Sequence, residues 1–291
     1  MKKIILAAIV CAVSSLNAAA YFDGGAGVVS GAHGYSGSKL YLIVGSEPFY
    51  LKPMFNSYKA DGTGGTFKTY SLRGGYDRDI YGVGAEFGGT SKLNGYQNSF
   101  FGGDITFTLT PDGGGRSRLA GPQSGSAGRG GKGVTRVDAG AAVKLTAHKD
   151  RFTAAKTGTI NQTDLSLFAG AKVLSTRISG TYTRSSYDKT LSAASIISVP
   201  KVENITGLNN VIQGFPGSSW NFGLAWSSLP MVSPFLSYTR TTFKLSQKTS
   251  KAYMAGATID LSMVAVNVVY ELYDDGSTKD GFYSVGAGLR F

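Results

Sequence analysis

The chain has 291 residues, with 29 basic and 18 acidic side chains, a formal net charge of +11, 41 glycines, 16 tyrosines, 16 phenylalanines, two histidines and one cysteine. A single cysteine excludes a disulfide scaffold and cysteine metal sites, and the absence of any mature run of roughly 20 apolar residues excludes a bundle of membrane helices. The basic balance invites nucleic acid, yet no helix-turn-helix, zinc-finger or single-strand-binding pattern accompanies it, so nucleic acid is not an expected partner.

Met1 to Ala20 reads as a secretory signal. Lys2 and Lys3 supply the positive start, Ile4 to Val13 the apolar run, and Ser14 to Ala20 a small-residue cleavage region. Cleavage is expected near Tyr21, with a second acceptable position after Ala18. Cys11 lies inside this segment behind Val10, where lipid attachment would need a small residue. Removing Lys2 and Lys3 leaves 27 basic and 18 acidic residues, a mature charge of +9. Residues 21–291 then form one domain. Without apolar helices, any membrane-spanning structure built from them must be a closed barrel, because every backbone polar group in lipid needs a partner.

Period-two alternation between turn residues defines fourteen segments in order. The first two, Phe22–Ser30 and Lys39–Ser46, have the weakest pattern. There follow Phe49–Tyr58, Thr66–Asp77, Ile80–Gly89, Asn98–Thr110, Val134–Ala147, Asp164–Ser175, Arg177–Tyr187, Ser219–Leu229, Val232–Lys244, Lys251–Leu261, Met263–Tyr273 and Gly281–Phe291. Val137, Ala139, Ala141, Val143 and Leu145 share one face, as do Trp220, Phe222, Leu224 and Trp226, and Val264, Val266, Val268, Tyr270 and Leu272. The opposite faces carry small, polar or charged residues. High glycine with many aromatics suits a strongly curved sheet with rings at two interfaces.

The chain ends GFYSVGAGLRF, with Tyr283, Val285, Ala287, Leu289 and Phe291 on one face. This ending resembles the terminal strand of bacterial outer-membrane β-barrels, whose last residue is commonly Phe. The resemblance implies an all-β, transmembrane, up-and-down antiparallel barrel in the outer membrane, and the fourteen alternating segments give it about 14 strands. It also implies that Tyr283, Val285, Leu289 and Phe291 are read by the barrel-assembly machinery, and that lipid and lipopolysaccharide are neighbours.

Such barrels join strands by short periplasmic turns and longer external loops. Counted back from Phe291, Leu261–Met263, Leu229–Val232, Ser175–Arg177, Asp77–Ile80 and Ser46–Phe49 fall on the periplasmic side, and all are short. The connections at Asp274–Asp280, Leu245–Ser250, Asp188–Ser218, His148–Thr163, Thr90–Gln97 and Lys59–Gly65 fall outside and are generally longer. One stretch departs from the rule: 111–133, PDGGGRSRLAGPQSGSAGRGGKG, is periplasmic by parity but long, Gly-rich and basic, a composition that predicts disorder. A missed crossing would give the same anomaly. A twelve-strand barrel with the first two segments as a plug or extension is the rival.

Alternation assigns Lys52, Arg73, Arg136, Lys144, Lys172, Arg177 and Arg290, with Glu86, Asp104, Asp138, Asp164, Asp260 and Glu271, to the lumen. Seven cations against six anions leave it nearly neutral. Arg136, Lys172 and Arg177 share the periplasmic mouth, where they form either an anion-attracting collar or ion pairs with Asp138. Lys149, Arg151, Lys156 and Lys248 lie outside, to pair with lipopolysaccharide phosphates or to solvate loops. In the external loop 188–218, Ile196, Ile197, Val199, Val202, Val211, Ile212 and Phe215 are too apolar to stay solvated. The loop is expected to constrict the mouth or to pack on a neighbour.

Catalytic chemistry finds little to work with. His33 and His148 are expected at the external rim as solvated loop residues, and no His-Gln-Ser or paired-Asp set of the outer-membrane lipases and proteases accompanies them. Gly113–Gly115 with Arg116 and Arg118 lacks the Gly-Lys-Ser/Thr ending of a nucleotide loop. No catalytic residue, metal ligand or cofactor is assigned. The sequence therefore points to an outer-membrane channel for passive diffusion of small hydrophilic solutes. The alternatives are a structural or binding barrel with a blocked lumen and, behind it, a lipid or peptide hydrolase.

Overall fold

A computed structural model of the chain describes residues 20–61, 64–78, 80–93, 95–109, 118–122, 135–153, 156–191, 201–205, 208–212, 215–229, 231–245 and 248–290. The signal segment and Phe291 lie outside these residues. The strands are β1 (Ala20–Gly31), β2 (Ser36–Ser46), β3 (Phe49–Lys59), β4 (Phe67–Asp77), β5 (Tyr81–Leu93), β6 (Tyr96–Thr108), β7 (Thr135–Thr153), β8 (Lys156–Val173), β9 (Thr176–Tyr187), β10 (Lys201–Ile205), β11 (Leu208–Ile212), β12 (Pro216–Trp226), β13 (Val232–Phe243), β14 (Ser250–Leu261), β15 (Val264–Asp274) and β16 (Lys279–Arg290). β1–β9 and β12–β16 pair in sequence as a closed antiparallel barrel of 14 strands, while β10 and β11 form a separate two-stranded sheet.

Closure settles the strand count. β1 pairs with β16 from Asp23↔Arg290 to Gly31↔Phe282, and with β2 from Ala20↔Ser46 to Ser30↔Ser36. The twelve-strand alternative is thereby overturned. Glycine weakens the hydropathy pattern of β1 but permits its packing: a Cβ on Gly25 would stand 2.7 Å from the Tyr41 ring and 2.8 Å from the Ala287 carbonyl oxygen.

Alternation follows from the two solvents. Leu165, Leu167, Ile178, Trp220, Phe222, Leu224, Val268, Tyr270, Tyr283, Val285 and Leu289 are exposed on the outer face, an apolar band of the kind that a lipid environment covers. Three turns on the side assigned to the periplasm carry residues in the left-handed region, Leu174 (φ 57°), Met231 (φ 64°) and Ser262 (φ 67°). The tight hairpins between Val173 and Thr176 and between Leu261 and Val264 need such values.

The expected external connections need two corrections. The span 148–163 is not a loop: β7 and β8 extend with paired register to Thr153↔Lys156, so the hairpin rises beyond the expected segment ends. Beyond the lipid a strand needs no apolar face, and the hydropathy signal disappears while the backbone pairing continues. The β5–β6 connection, expected at Thr90–Gln97, is a tight turn between Leu93 and Tyr96.

Candidate functional site

At the inner mouth, β6 and β7 pair directly from Gln97↔Lys149 to Thr108↔Asp138, so the 111–133 connection returns on the side from which it leaves and hides no crossing. Its composition predicts disorder, but residues 118–122 are described and ordered. Within it Arg118, Leu119 and Ala120 are buried, at 0, 6 and 2 % exposure. Asp138 organises their seat: its Oδ1 accepts from Thr108 Oγ1 (2.7 Å) and Arg136 Nε (3.0 Å), and its Oδ2 from the Leu119 backbone N–H (2.8 Å). Arg177 donates from Nε and Nη2 to the Leu119 carbonyl at 3.0 and 2.7 Å. The Arg118 guanidinium donates to Asp77, to Thr108 and to the Arg78 carbonyl. Gly170 leaves room for the segment, because a Cβ there would lie 2.6 Å from Leu119 Cβ.

The expected collar is therefore assembled but engaged. Arg136, Lys172 and Arg177 are successive cross-strand neighbours. Arg136 and Arg177 hold Asp138 and the inserted backbone, and Lys172 also has a partner. Both expected roles, ion pairing and a positive mouth, are spent largely on binding a piece of the chain itself. Arg118 is the residue that the composition of a Gly-rich linker conceals.

Higher in the lumen, one row of cross-strand neighbours runs Lys52, Arg73, Glu86, Gly102, Lys144, Asp164, Ser185 across β3 to β9. Arg73 and Asp104 pair at 2.5 Å with side chains 4 and 1 % exposed, and Arg73 Nε donates to Tyr50 Oη at 3.1 Å. Lys39, which opens the second expected segment and was not assigned to the lumen, belongs here too. Its Nζ and that of Lys52 stand 5.8 and 5.7 Å from the Tyr41 ring centre. Lys144 is exposed although it faces inward, with its Nζ 4.1 Å over the Phe100 ring.

The facing wall is hydroxyl-rich. Asn221 donates to Ser237 (3.1 Å) and Thr239 (2.8 Å), Ser219 bonds Thr241 (3.1 Å), and Ser166 bonds Thr183 (2.8 Å). Asn267, on the inward face of β15, is exposed like Lys144. These small side chains leave part of the interior open to water.

The outer mouth is aromatic. Phe282 meets Tyr35 edge-on at 5.3 Å, Tyr35 stacks with Tyr58 (6.1 Å), Tyr58 with Phe67 (5.1 Å), and Phe67 abuts Tyr96 (6.3 Å). Phe215, the end of the apolar loop, is 1 % exposed and packs edge-on against Tyr187 at 5.2 Å. Val211 and Ile212 lie in β11, and Ile196 and Ile197 lie outside the described residues, so of these constriction candidates Phe215 alone has a described side chain. Sequence reading found that loop but missed the arc. Its rings sit at strand ends on the inward face, where alternation marks the charged residues but singles out no aromatic.

The histidines separate. His33 is solvated on the outer rim and bonds Asp280 at 3.2 Å. His148, expected to be solvated, is 1 % exposed because β7 continues through it. Its Nδ1 is 3.0 Å from Tyr96 Oη and its Nε2 3.0 Å from Gln162 Oε1. Gln162 donates through Nε2 to Asp164, which also accepts from Ser185 Oγ, both at 2.6 Å. Gln162 Oε1 is thus an acceptor, which makes Nε2–H the donor and, in the neutral imidazole, Nδ1 the acceptor of the Tyr96 hydroxyl proton. Asn98 Nδ2 in turn donates to Tyr96 Oη at 2.8 Å. The chain of bonds braces β6 to β9. Among the described residues no three His, Cys, Asp or Glu side chains converge as a metal site.

No family model and no curated protein matches the chain. Solved structures do. The monoaromatic hydrocarbon channel CymD is similar at TM-score 0.50 and 11 % identity, over 96 % of this chain and 90 % of that one. The porin NanC is similar at TM-score 0.47 and 10 % identity, over 93 % of this chain and all of NanC. CdiB from Acinetobacter baumannii gives TM-score 0.49 and 8 % identity over 94 % of this chain, which spans only 60 % of CdiB. At these identities the likeness is one of fold: an outer-membrane β-barrel.

Proposed function

We propose that this chain resides in the bacterial outer membrane and is a channel for passive diffusion of small hydrophilic solutes. The observation that carries this reading is the lumen wall, where inward-facing Lys144 and Asn267 are exposed among small and hydroxyl side chains. A 14-strand barrel is wide enough that such side chains do not fill it. The similar folds include a porin and a hydrocarbon channel by their names, which agrees with a conduit. Lipid and lipopolysaccharide would surround the barrel, and the barrel-assembly machinery would read the terminal strand, whose Tyr283, Val285 and Leu289 are exposed outward. Purified protein in planar bilayers is expected to give stepwise conductance; a folded barrel that never conducts would sink the reading.

A second reading, a structural or binding barrel with a blocked lumen, is favoured by two features: the buried segment 118–120 at the inner mouth and the ring arc at the outer one. Persistent silence in the bilayer would select it. Hydrolase chemistry has the least support, since His148 is enclosed by Tyr96 and Gln162.

A further inference from the structure

We propose that the outer rim of β13–β16 binds a phosphorylated lipid of the outer leaflet, lipopolysaccharide, through a row of cations set above an apolar groove on the outward face. The inference rests on the outer-membrane residence proposed above and is independent of conduction. Cross-strand register puts Arg240, Lys251, Asp274 and Lys279 side by side on four neighbouring strands. The row faces outward, because Arg240 follows exposed Leu236 at period two and Lys279 precedes exposed Tyr283 and Val285 in the same way. Arg240 and Lys279 are exposed and Lys251 is half-buried. At about 4.8 Å per strand the three cations span roughly 14 Å, enough to meet more than one phosphate of a headgroup.

The patch keeps a positive excess after its carboxylates are counted. Lys244 and Lys248 extend it over the β13–β14 connection, so five cations stand against Asp274 and Asp275. Asp274 lies between Lys251 and Lys279 and offsets one of them, while Asp275 interacts with the Lys248 charge. Both carboxylates also accept from their own loop, Asp274 Oδ1 from the Gly276 N–H at 2.8 Å and Asp275 Oδ1 from the Ser277 and Thr278 N–H groups at 2.7 Å. Asp280 and Glu271 belong to the inner face, the first against His33 and the second 2 % exposed. Three positive charges remain. On the adjoining rim of β1 and β2 the outward face carries Ser30, Ser36 and Ser38, so the charge is local to β13–β16.

Beneath the cations lies a groove lined by Leu236, Tyr238, Tyr253, Ala255, Tyr270 and Leu272. Tyr238 and Tyr253 pack with ring centres 5.1 Å apart, and Tyr270 and Tyr283 at 4.9 Å. Small Ala255, cross-strand from Leu236 and Tyr270, leaves the gap between the two ring pairs. Phosphate meets lysine and arginine in charge-assisted hydrogen bonds, and tyrosines settle where headgroups join acyl chains. A lipid bearing both phosphates and acyl chains matches the row and the groove together, whereas a soluble anion would match the row alone.

The probe is bis-phosphorylated lipid A, titrated into the purified, folded barrel in detergent and counted by native mass spectrometry. A basic residue near an anionic lipid surface strengthens binding about fivefold, so Arg240→Gln should weaken lipid A binding about fivefold. The triple Arg240→Gln, Lys251→Gln, Lys279→Gln variant should weaken it about a hundredfold by the same reckoning. Ala255→Trp, which fills the groove and leaves every cation in place, should also weaken it. Lys68→Gln, exposed on the outward face of β4 away from the patch, should change nothing. Heat-modifiable mobility on a gel checks that each variant is a folded barrel, and the single substitutions at exposed Arg240 and Ala255 keep the test alive if the triple variant does not fold. Binding indifferent to Arg240→Gln and Ala255→Trp, an equal loss in Lys68→Gln, equally tight binding of dephosphorylated lipid A or of phosphatidylglycerol, or displacement by inorganic phosphate overturns the inference. Absence of the protein from outer-membrane fractions of the producing cell would end the residence reading; presence there without lipid A binding ends this inference alone, and neither result bears on conductance.

Discussion

Asp138→Ala is the sharpest test of the inner-mouth arrangement. The carboxylate is 0 % exposed and serves three donors, of which the Leu119 N–H belongs to the inserted segment itself. A hydrogen bond to a charged acceptor contributes about 1.5–3 kcal/mol, so losing it shifts the docking equilibrium of this segment by about 30- to 150-fold at 2–3 kcal/mol. Arg136, left without its carboxylate at 3 % exposure, adds a penalty to the barrel as a whole. Trypsin reads the docking directly. In the unmodified protein the Arg118 side chain is buried and its peptide bond protected, and cleavage should track the undocked fraction when reclosing is fast. Mass spectrometry of the Arg118–Leu119 cut in detergent-solubilised protein should therefore show a rate increase in that range, and a smaller one for Asp138→Asn, which keeps an acceptor but not the charge. A cleavage rate unchanged in Asp138→Ala, with barrel mobility on gels intact, would refute the assigned role of this carboxylate.

Three further outcomes are expected. Leu167→Arg, on the exposed outer face six residues above the end of β8 and so roughly 15 Å along a tilted strand, should destabilise the folded barrel in vesicles by about 2–4 kcal/mol in denaturant titrations; no change would mean that this face does not meet lipid. Phe282→Ala, at 7 % exposure against Tyr35, should cost about 3–5 kcal/mol by the same measurement, and an unshifted midpoint would show that the outer arc is not packed. Asp188 accepts from Asn161 N (2.9 Å) and Nδ2 (2.7 Å), and the backbone N–H chiefly holds its carboxyl below the usual range. A depressed folded value stabilises above the ordinary carboxylate pKa of about 3.9 and is lost as pH falls through the folded value. Protease sensitivity of the following loop should thus rise only below about pH 4, and a rise near neutrality would contradict the assignment.

The barrel was legible because lipid and lumen demand opposite side chains at every second residue. Trp220, Phe222 and Leu224 announce the outer face without any knowledge of the fold. Where only one solvent is present the code fails. Above the apolar band the outward face of β7 and β8 carries exposed Lys149 and Asn161 while polar His148 and Gln162 are buried inward, so the alternation that marks Val143 and Leu145 stops near His148, and a hairpin reads as a loop. β1 fails differently: its glycines pack against Tyr41 and β16, a steric requirement that hydropathy cannot register.

The lumen assignments show a sharper limit. Alternation puts Arg136, Arg177, Lys52 and Lys144 on the inward face alike, and Lys52 and Lys144 fall in one cross-strand row, Arg136 and Arg177 in another. It cannot say which cations are already neutralised, since that depends on contacts between residues far apart in sequence. Asp77 meets Arg118 across 41 positions, and Arg177 meets the Leu119 carbonyl across 58. A charge census from sequence therefore bounds the field of such a barrel, while contacts between distant residues decide which of its charges are held.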